Sequence, residues 1–174
     1  MEEGVFLRLF IFSCCLSACA ASGAYERGVY SQGKLRYKIG DLPSGWSRVH
    51  VEDANLTFRH KDGGAILVNA LCGSDNIDDV PLDVLINQAL FGVENKNELS
   101  RTPLTIDGRA ALRALIDGTL DGVPIEIDMV VLKKDNCTFD FQLIGGVQEL
   151  TPRRAEFETM FKSFSKLSGY EGKK

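Results

Sequence analysis

Histidine and tryptophan are scarce in this 174-residue chain: two histidines, His50 and His60, and one tryptophan, Trp46. The histidines have no metal-ligand spacing to each other or to the cysteines, which argues against a zinc site. The chain has no Gly-x-Ser-x-Gly elbow, no Walker loop and no Rossmann fingerprint, so the common sequence signatures of hydrolases and nucleotide-binding enzymes are missing. Positive charge is not in excess either. Lys+Arg total 20 against Asp+Glu 24, a formal net charge of -4 with no basic cluster. That removes the electrostatic footprint of nucleic-acid binding. No apolar run reaches the roughly 20 residues of a membrane-spanning helix, and there is no internal repeat or low-complexity block. What is present is ordinary: 44% hydrophobic and 25% charged residues, enough for one domain with one core.

The five cysteines are unevenly placed. Cys14, Cys15 and Cys19 crowd the N-terminus, while Cys72 and Cys137 stand alone. Residues Val5 to Ala18 read VFLRLFIFSCCLSA, an apolar segment with one Arg and no acid that fits the h-region of a secretory signal peptide. It closes on Leu16-Ser17-Ala18-Cys19, which resembles the lipobox of bacterial lipoproteins. That resemblance implies cleavage between Ala18 and Cys19, lipidation of Cys19 including palmitate, and a membrane anchor without a spanning helix. Ala20 after Cys19 favours, by the same resemblance, the outer membrane facing the periplasm. The acidic start Met1-Glu2-Glu3-Gly4 departs from the basic n-region of export signals; a start at Leu7 would leave Arg8 in that role. Removing residues 1–18 changes the net charge from -4 to -3. In an oxidising envelope, Cys72 and Cys137 are expected to form a disulfide, two separately buried thiols being the alternative.

From Ala20 to Gly33 the sequence is small, polar and aperiodic, and reads as a tether. The expected organisation is therefore a signal peptide over 1–18, lipidated Cys and tether over 19–33, one domain over 34–167 and a tail over 168–174. Within the domain, alternation predicts strands around Leu35–Ile39, Arg48–Val51, Asn55–His60 and Ala65–Cys72, with a helix from Val80-Pro81 to about Val93 capped by Asp78 or Asp79. Further strands follow at Leu104–Ile106, Ala110–Ile116, Ile125–Val131 and Phe139–Leu143. Residues 110–116 favour helix intrinsically, but their place between Asp107-Gly108 and Asp117-Gly118 predicts a strand. A last helix after Thr151-Pro152 runs to Leu167, its stripe Phe157, Met160, Phe161, Phe164 and Leu167 facing the sheet. The expected fold is α+β, an antiparallel sheet covered by two helices in the order β-β-β-β-α-β-β-β-β-α.

On Leu42-Pro43-Ser44-Gly45-Trp46, Leu104 to Ala110, Cys137 to Phe141 and Phe161-Lys162-Ser163-Phe164, residues 34–167 resemble the PsbP-like superfamily, which includes an extrinsic photosystem II protein and small DcrB-like bacterial lipoproteins. The resemblance implies an accessory or assembly factor at a membrane complex, with no shared catalytic residues and no cofactor to carry over.

Individual residues agree with that reading. His50 lies in a polar stretch beside a turn, and His60, between Arg59 and Lys61, reads as a solvated hairpin end. Asp75, Asp78 and Asp79 lack the Gly and terminal Glu of an EF-hand and suit helix capping. Trp46 reads as a core plug. The expected protein is thus a non-catalytic envelope lipoprotein, held to a membrane through Cys19 and acting on an unidentified envelope protein, with no nucleic-acid partner. The alternative is a periplasmic binding module for a small apolar or anionic ligand.

Overall fold

The computed structural model describes residues 23–52, 54–73 and 80–168. The signal peptide, Ala18 and Cys19, the acidic Asp75, Asp78 and Asp79, and residues 169–174 lie outside them. A seven-stranded antiparallel sheet has the order β4 (Trp46–Val49), β5 (Leu56–His60), β6 (Ala65–Cys72), β10 (Cys137–Gly145), β9 (Val123–Lys134), β8 (Arg109–Leu120) and β7 (Glu94–Ile106). A smaller sheet combines β1 (Ala24–Glu26), β2 (Val29–Gln32), β3 (Leu35–Lys38) and β11 (Ser165–Lys166). Helix α1 (Leu82–Ala89) follows β6, and α2 (Val147–Leu150), a 3-10 turn and α3 (Arg154–Lys162) follow β10.

The meander β7 to β10 is built by local chemistry. Asp107-Gly108, Asp121-Gly122 and Asp135-Asn136 each place both residues at positive φ, the backbone of a two-residue type I′ hairpin, which Asp, Asn and Gly tolerate best. The pairs Ile106↔Arg109, Leu120↔Val123 and Lys134↔Cys137 close these turns in register.

Side-chain alternation then gives the large sheet two covered faces. One carries Phe58, Val68, Phe139, Phe141 and Leu143, packed against Tyr30 and Tyr37 of the small sheet and Phe157, Phe161 and Phe164 in and beyond α3. The other carries Ala114, Ile116, Ile127 and Met129 against Ile86 of α1 and against Leu90 and Val93, which follow it. Each such fully buried aliphatic or aromatic side chain contributes roughly 1.5–3 kcal/mol. Cys72 and Cys137 are cross-strand partners on β6 and β10 and form a disulfide, as the sequence predicts.

Several boundaries differ from expectation, and α1 ends at Ala89, not near Val93. Residues 24–32, read as tether, form the β1–β2 hairpin, whose Tyr30 stacks on Tyr37 with ring centroids 4.9 Å apart. β7 begins at Glu94 rather than near Leu104, because an edge strand with two exposed faces has no apolar alternation to reveal it. Asp117-Gly118 is not a turn: it lies inside β8, and the turn is Asp121-Gly122. The last helix ends at Lys162, not Leu167. There the Ser163 hydroxyl donates to the Met160 carbonyl and accepts from the Gly40 amide, and the chain turns into β11.

Candidate functional site

Beyond the small sheet, the first face of β7–β8–β9 meets α3 in a groove of about 330 Å³. Ser100, Thr102 and Leu104 of β7 form one wall, and Arg154, Glu158, Phe161 and Lys162 of α3 form the other. The register brings these residues together. Thr102 stands opposite Arg113, and Leu115 opposite Asp128; 154, 158 and 162 share one helix face at i, i+4 spacing. Arg113 donates from Nε and Nη2 to the two Asp128 carboxylate oxygens, at 2.8 and 2.6 Å, and from Nη1 to Glu158 at 3.0 Å. Its guanidinium also lies 5.4 Å from the Phe161 ring centroid. Lys162 extends the chain by donating to Glu158, and Arg154 pairs with Glu126.

The result is a ladder Lys162–Glu158–Arg113–Asp128 with Arg154–Glu126 beside it, three cations against three carboxylates. Asp128 is 1% exposed and Glu126 3%. The hydrogen bond to Asp128 is the main cause that lifts the Arg113 pKa well above its ordinary value. Glu158 is held below the usual carboxylate range, first by its hydrogen bond from Lys162 and then by that from Arg113. Glu126 is pushed up by burial, only partly offset by the charge of Arg154. Such an arrangement clamps α3 to the sheet. It offers Ser100 and Thr102 no histidine base, since His50 is exposed beyond the end of β4 and His60 ends β5, five strands away from β7.

Glu126 and Asp128 stand at the polar positions of an alternating strand and Arg154 lies off the apolar stripe of the last helix, so strand and helix periods do not single out these residues or Arg113. The available signal was the uninterrupted run Met129-Val130-Val131-Leu132, which implies burial on both faces and so burial of the adjoining acids.

His60 is not a solvated hairpin end. Its side chain is 10% exposed, packs edge-on against Trp46 with centroids 5.1 Å apart, and has Nδ1 2.7 Å from Nη2 of Arg153. Trp46 is the expected plug: it packs on the core and its indole N–H donates to Glu156 at 2.7 Å. This cluster docks the β5–β6 hairpin on the α2–α3 segment. Among the described residues no group of three or more His, Cys, Asp or Glu could hold a metal ion, and no helix is long and apolar enough to cross a membrane.

On the opposite face Asp140 of β10 accepts hydrogen bonds from Asn69 Nδ2 at 3.0 Å and Gln142 Nε2 at 2.8 Å. Burial raises its pKa, and these two bonds offset that only in part. The folded chain therefore binds this proton more tightly than the unfolded chain. Its effect on stability is most favourable below the unfolded pKa of about 3.9 and declines as pH rises through the higher folded value. Asp140→Asn is accordingly expected to raise the thermal midpoint at pH 7, with the gain shrinking as pH falls toward 3.5. A variant less stable than wild type at pH 7 would contradict this.

No protein-family model and no curated protein matches the sequence. Solved structures do resemble it. Cyanobacterial PsbP (CyanoP) from Synechocystis sp. PCC 6803 aligns with TM-score 0.54 at 16% identity, over 90% of this chain and 99% of that one. LpqN of Mycobacterium tuberculosis, described as involved in cell envelope biogenesis, aligns with TM-score 0.55 at 12% identity, over 78% and 86%. The Ran-binding protein Mog1p of Saccharomyces cerevisiae aligns with TM-score 0.50 at 11% identity, over 76% and 89%. Identities this low speak for architecture alone. An antiparallel sheet, a second small sheet and helices on both faces, shared with CyanoP over nine-tenths of the chain, make this the PsbP-like α+β fold.

Proposed function

We propose that the protein is a lipid-anchored, non-catalytic envelope lipoprotein that works as an accessory or assembly factor through contacts with another envelope protein. The observation that carries the reading is the position of Cys19. It ends the lipobox-like Leu16-Ser17-Ala18-Cys19 and stands five residues before β1 begins at Ala24. Five residues reach at most about 17 Å, so an acylated Cys19 holds the domain against its bilayer instead of on a long leash. The fold supports the same reading, being shared with a protein described as taking part in cell envelope biogenesis.

Metabolic labelling with radioactive palmitate tests the anchor. Wild type is expected to incorporate label and fractionate with membranes, while Cys19→Ala loses the label and is released. Equal labelling of the two would sink the proposal. The outer membrane is the proposed destination, and density separation of inner and outer membranes checks it.

One observation favours the alternative, a binding module for a small apolar or anionic ligand: the groove beside α3 combines Leu104, Leu115 and Phe161 with three cations. Those cations are already matched by Asp128, Glu158 and Glu126, so an anion entering it must displace a carboxylate. The accessory reading is preferred on that ground. Native mass spectrometry of protein purified without denaturant separates the two, since a binding module retains a stoichiometric small molecule.

A further inference from the structure

Three large apolar side chains are exposed at one end of the large sheet: Phe91 at 93%, Val123 at 61% and Leu120 at 41%. Leu120 and Val123 are cross-strand partners flanking the Asp121-Gly122 turn. By strand alternation they stand on the α1 face, with Ile116 and Ile127. Phe91 lies in the turn that leaves α1, three residues before Glu94, and Glu94 pairs with Thr119 next to Leu120. That turn is pressed onto β8 so closely that a Cβ on Gly118 would stand 2.7 Å from the Glu94 carbonyl and 2.8 Å from Val93 Cγ1. The three side chains therefore belong to one rigid tip. Its rim carries more acid than base: Glu94 and Asp121 are exposed, against one cation, Lys96, which donates to the Leu90 carbonyl at 3.2 Å.

The tip points away from the end where the chain enters. Gly23 lies against the Tyr30 ring, Tyr30 Oη accepts from Asn55, and Asn55 accepts from the Ala70 amide of β6. Ala70 is opposite Phe139, which is opposite Leu132 on β9. From Leu132 back to Val123 is nine residues of strand, about 30 Å. The entry point also belongs to the small-sheet layer, on the face opposite α1.

We propose that Phe91, Leu120 and Val123 form the docking surface for a protein partner that presents an apolar patch rimmed by lysine or arginine. The proposal rests on the anchored reading above, because an acylated Cys19 fixes the entry end toward the bilayer. An anionic bilayer is a poor occupant for a tip that is remote from the anchor and edged by Glu94 and Asp121. Charge complementarity selects a basic-rimmed protein surface.

The test uses the full chain in intact cells, with the photo-crosslinking residue p-benzoylphenylalanine placed at 91, at 123 and, as control, at exposed position 34 on the other side of the molecule. Discrete protein adducts are expected from 91 and 123 and not from 34, with mass spectrometry of the linked peptide finding apolar residues beside Lys or Arg. Phe91→Asp is expected to reduce the adduct from position 123 by about tenfold or more, as loss of an interface aromatic does. Glu94→Lys with Asp121→Lys is expected to reduce it as well. Because these side chains are exposed, the thermal midpoint of each variant should stay within about 2 °C of wild type.

Adducts to lipid, an adduct of twice the chain's own mass, a linked peptide without basic residues, or no adduct at 91 and 123 would each overturn the proposal. Palmitate labelling of Cys19 in the same cells keeps the two readings apart. Without label but with a basic-rimmed partner at 91, the docking surface stands and the anchor falls.

Discussion

Replacing Cys72 and Cys137 together by alanine is expected to lower the unfolding free energy by about 4 kcal/mol, the chain-entropy value for a 65-residue loop. At about 3 °C per kcal/mol for a domain of this size, the thermal midpoint falls by about 12 °C. The position of the bridge makes the loss specific. β6 and β10 are the two strands that join the β4–β5–β6 half of the large sheet to the β7–β10 meander, and the bridge closes the segment that holds α1, β7, β8 and β9. Within the large sheet this is the strand pairing with the longest loop to close, whereas each hairpin of the meander closes across two residues. Removing the bridge therefore taxes the step that unites two locally favoured pieces. Against a total stability of about 5–15 kcal/mol for a typical domain, 4 kcal/mol is a large fraction. The check is denaturation of the oxidised protein, the protein in reductant and the double variant. The last two should agree with each other and fall below the first. Three coincident curves would refute the assignment of the bridge as a major stabilising element.

Much of the meander was legible because its signals are local. Asp-Gly and Asp-Asn pairs at the three hairpins need positive φ, and the apolar alternation of Ile125, Ile127, Met129 and Val131 fixes which face α1 must cover. The segment Ala110–Ile116 was readable as strand against its helical propensity because it follows Asp107-Gly108. Its other supposed boundary was wrong: Gly118 is small because Val93 and Glu94 crowd it, not because the chain turns there. The β1–β2 hairpin was missed because three- and four-residue strands give too few positions for a period to appear. Its one local signal was Arg27-Gly28, which turns with both residues at positive φ.

What stayed invisible depends on partners distant in sequence. Asp128 and Glu126 look like the solvent side of an alternating strand until α3 lays Arg154 over them, 28 residues from Glu126. His60 looks solvated until Arg153, 93 residues away, reaches it. Neither period nor propensity encodes such meetings. They follow from which face of the sheet the helix covers, and both faces of this sheet are covered. For the same reason the tip at Phe91 could not be recognised from sequence. Leu120 and Val123 continue an apolar alternation that elsewhere is buried, and only the end of α1 determines where the cover stops.

Arg113→Ala is expected to destabilise the domain by about 3 kcal/mol, near the lower end of the cost of breaking a buried ion pair. Asp128 is 1% exposed and loses both of its Arg113 hydrogen bonds at once. The estimate stays at the lower end because Nη1 of Arg154 lies 3.9 Å from Asp128 and partly compensates the stranded charge. If the penalty is that of an uncompensated carboxylate, removing the carboxylate should relieve it. Arg113→Met combined with Asp128→Leu is therefore expected to recover more than half of the loss, because a buried pair can often be exchanged for apolar groups at little cost. Arg113→Met, Asp128→Leu and the double variant form a cycle whose coupling energy should exceed about 1 kcal/mol. Purely additive losses would mean that Arg113 acts through its packing on Phe161 and not through the ladder. The cycle also bears on function. If the groove serves only to clamp α3, the double variant restores the domain together with whatever crosslinks form at the proposed docking tip, since Phe91 lies on the other face of the sheet.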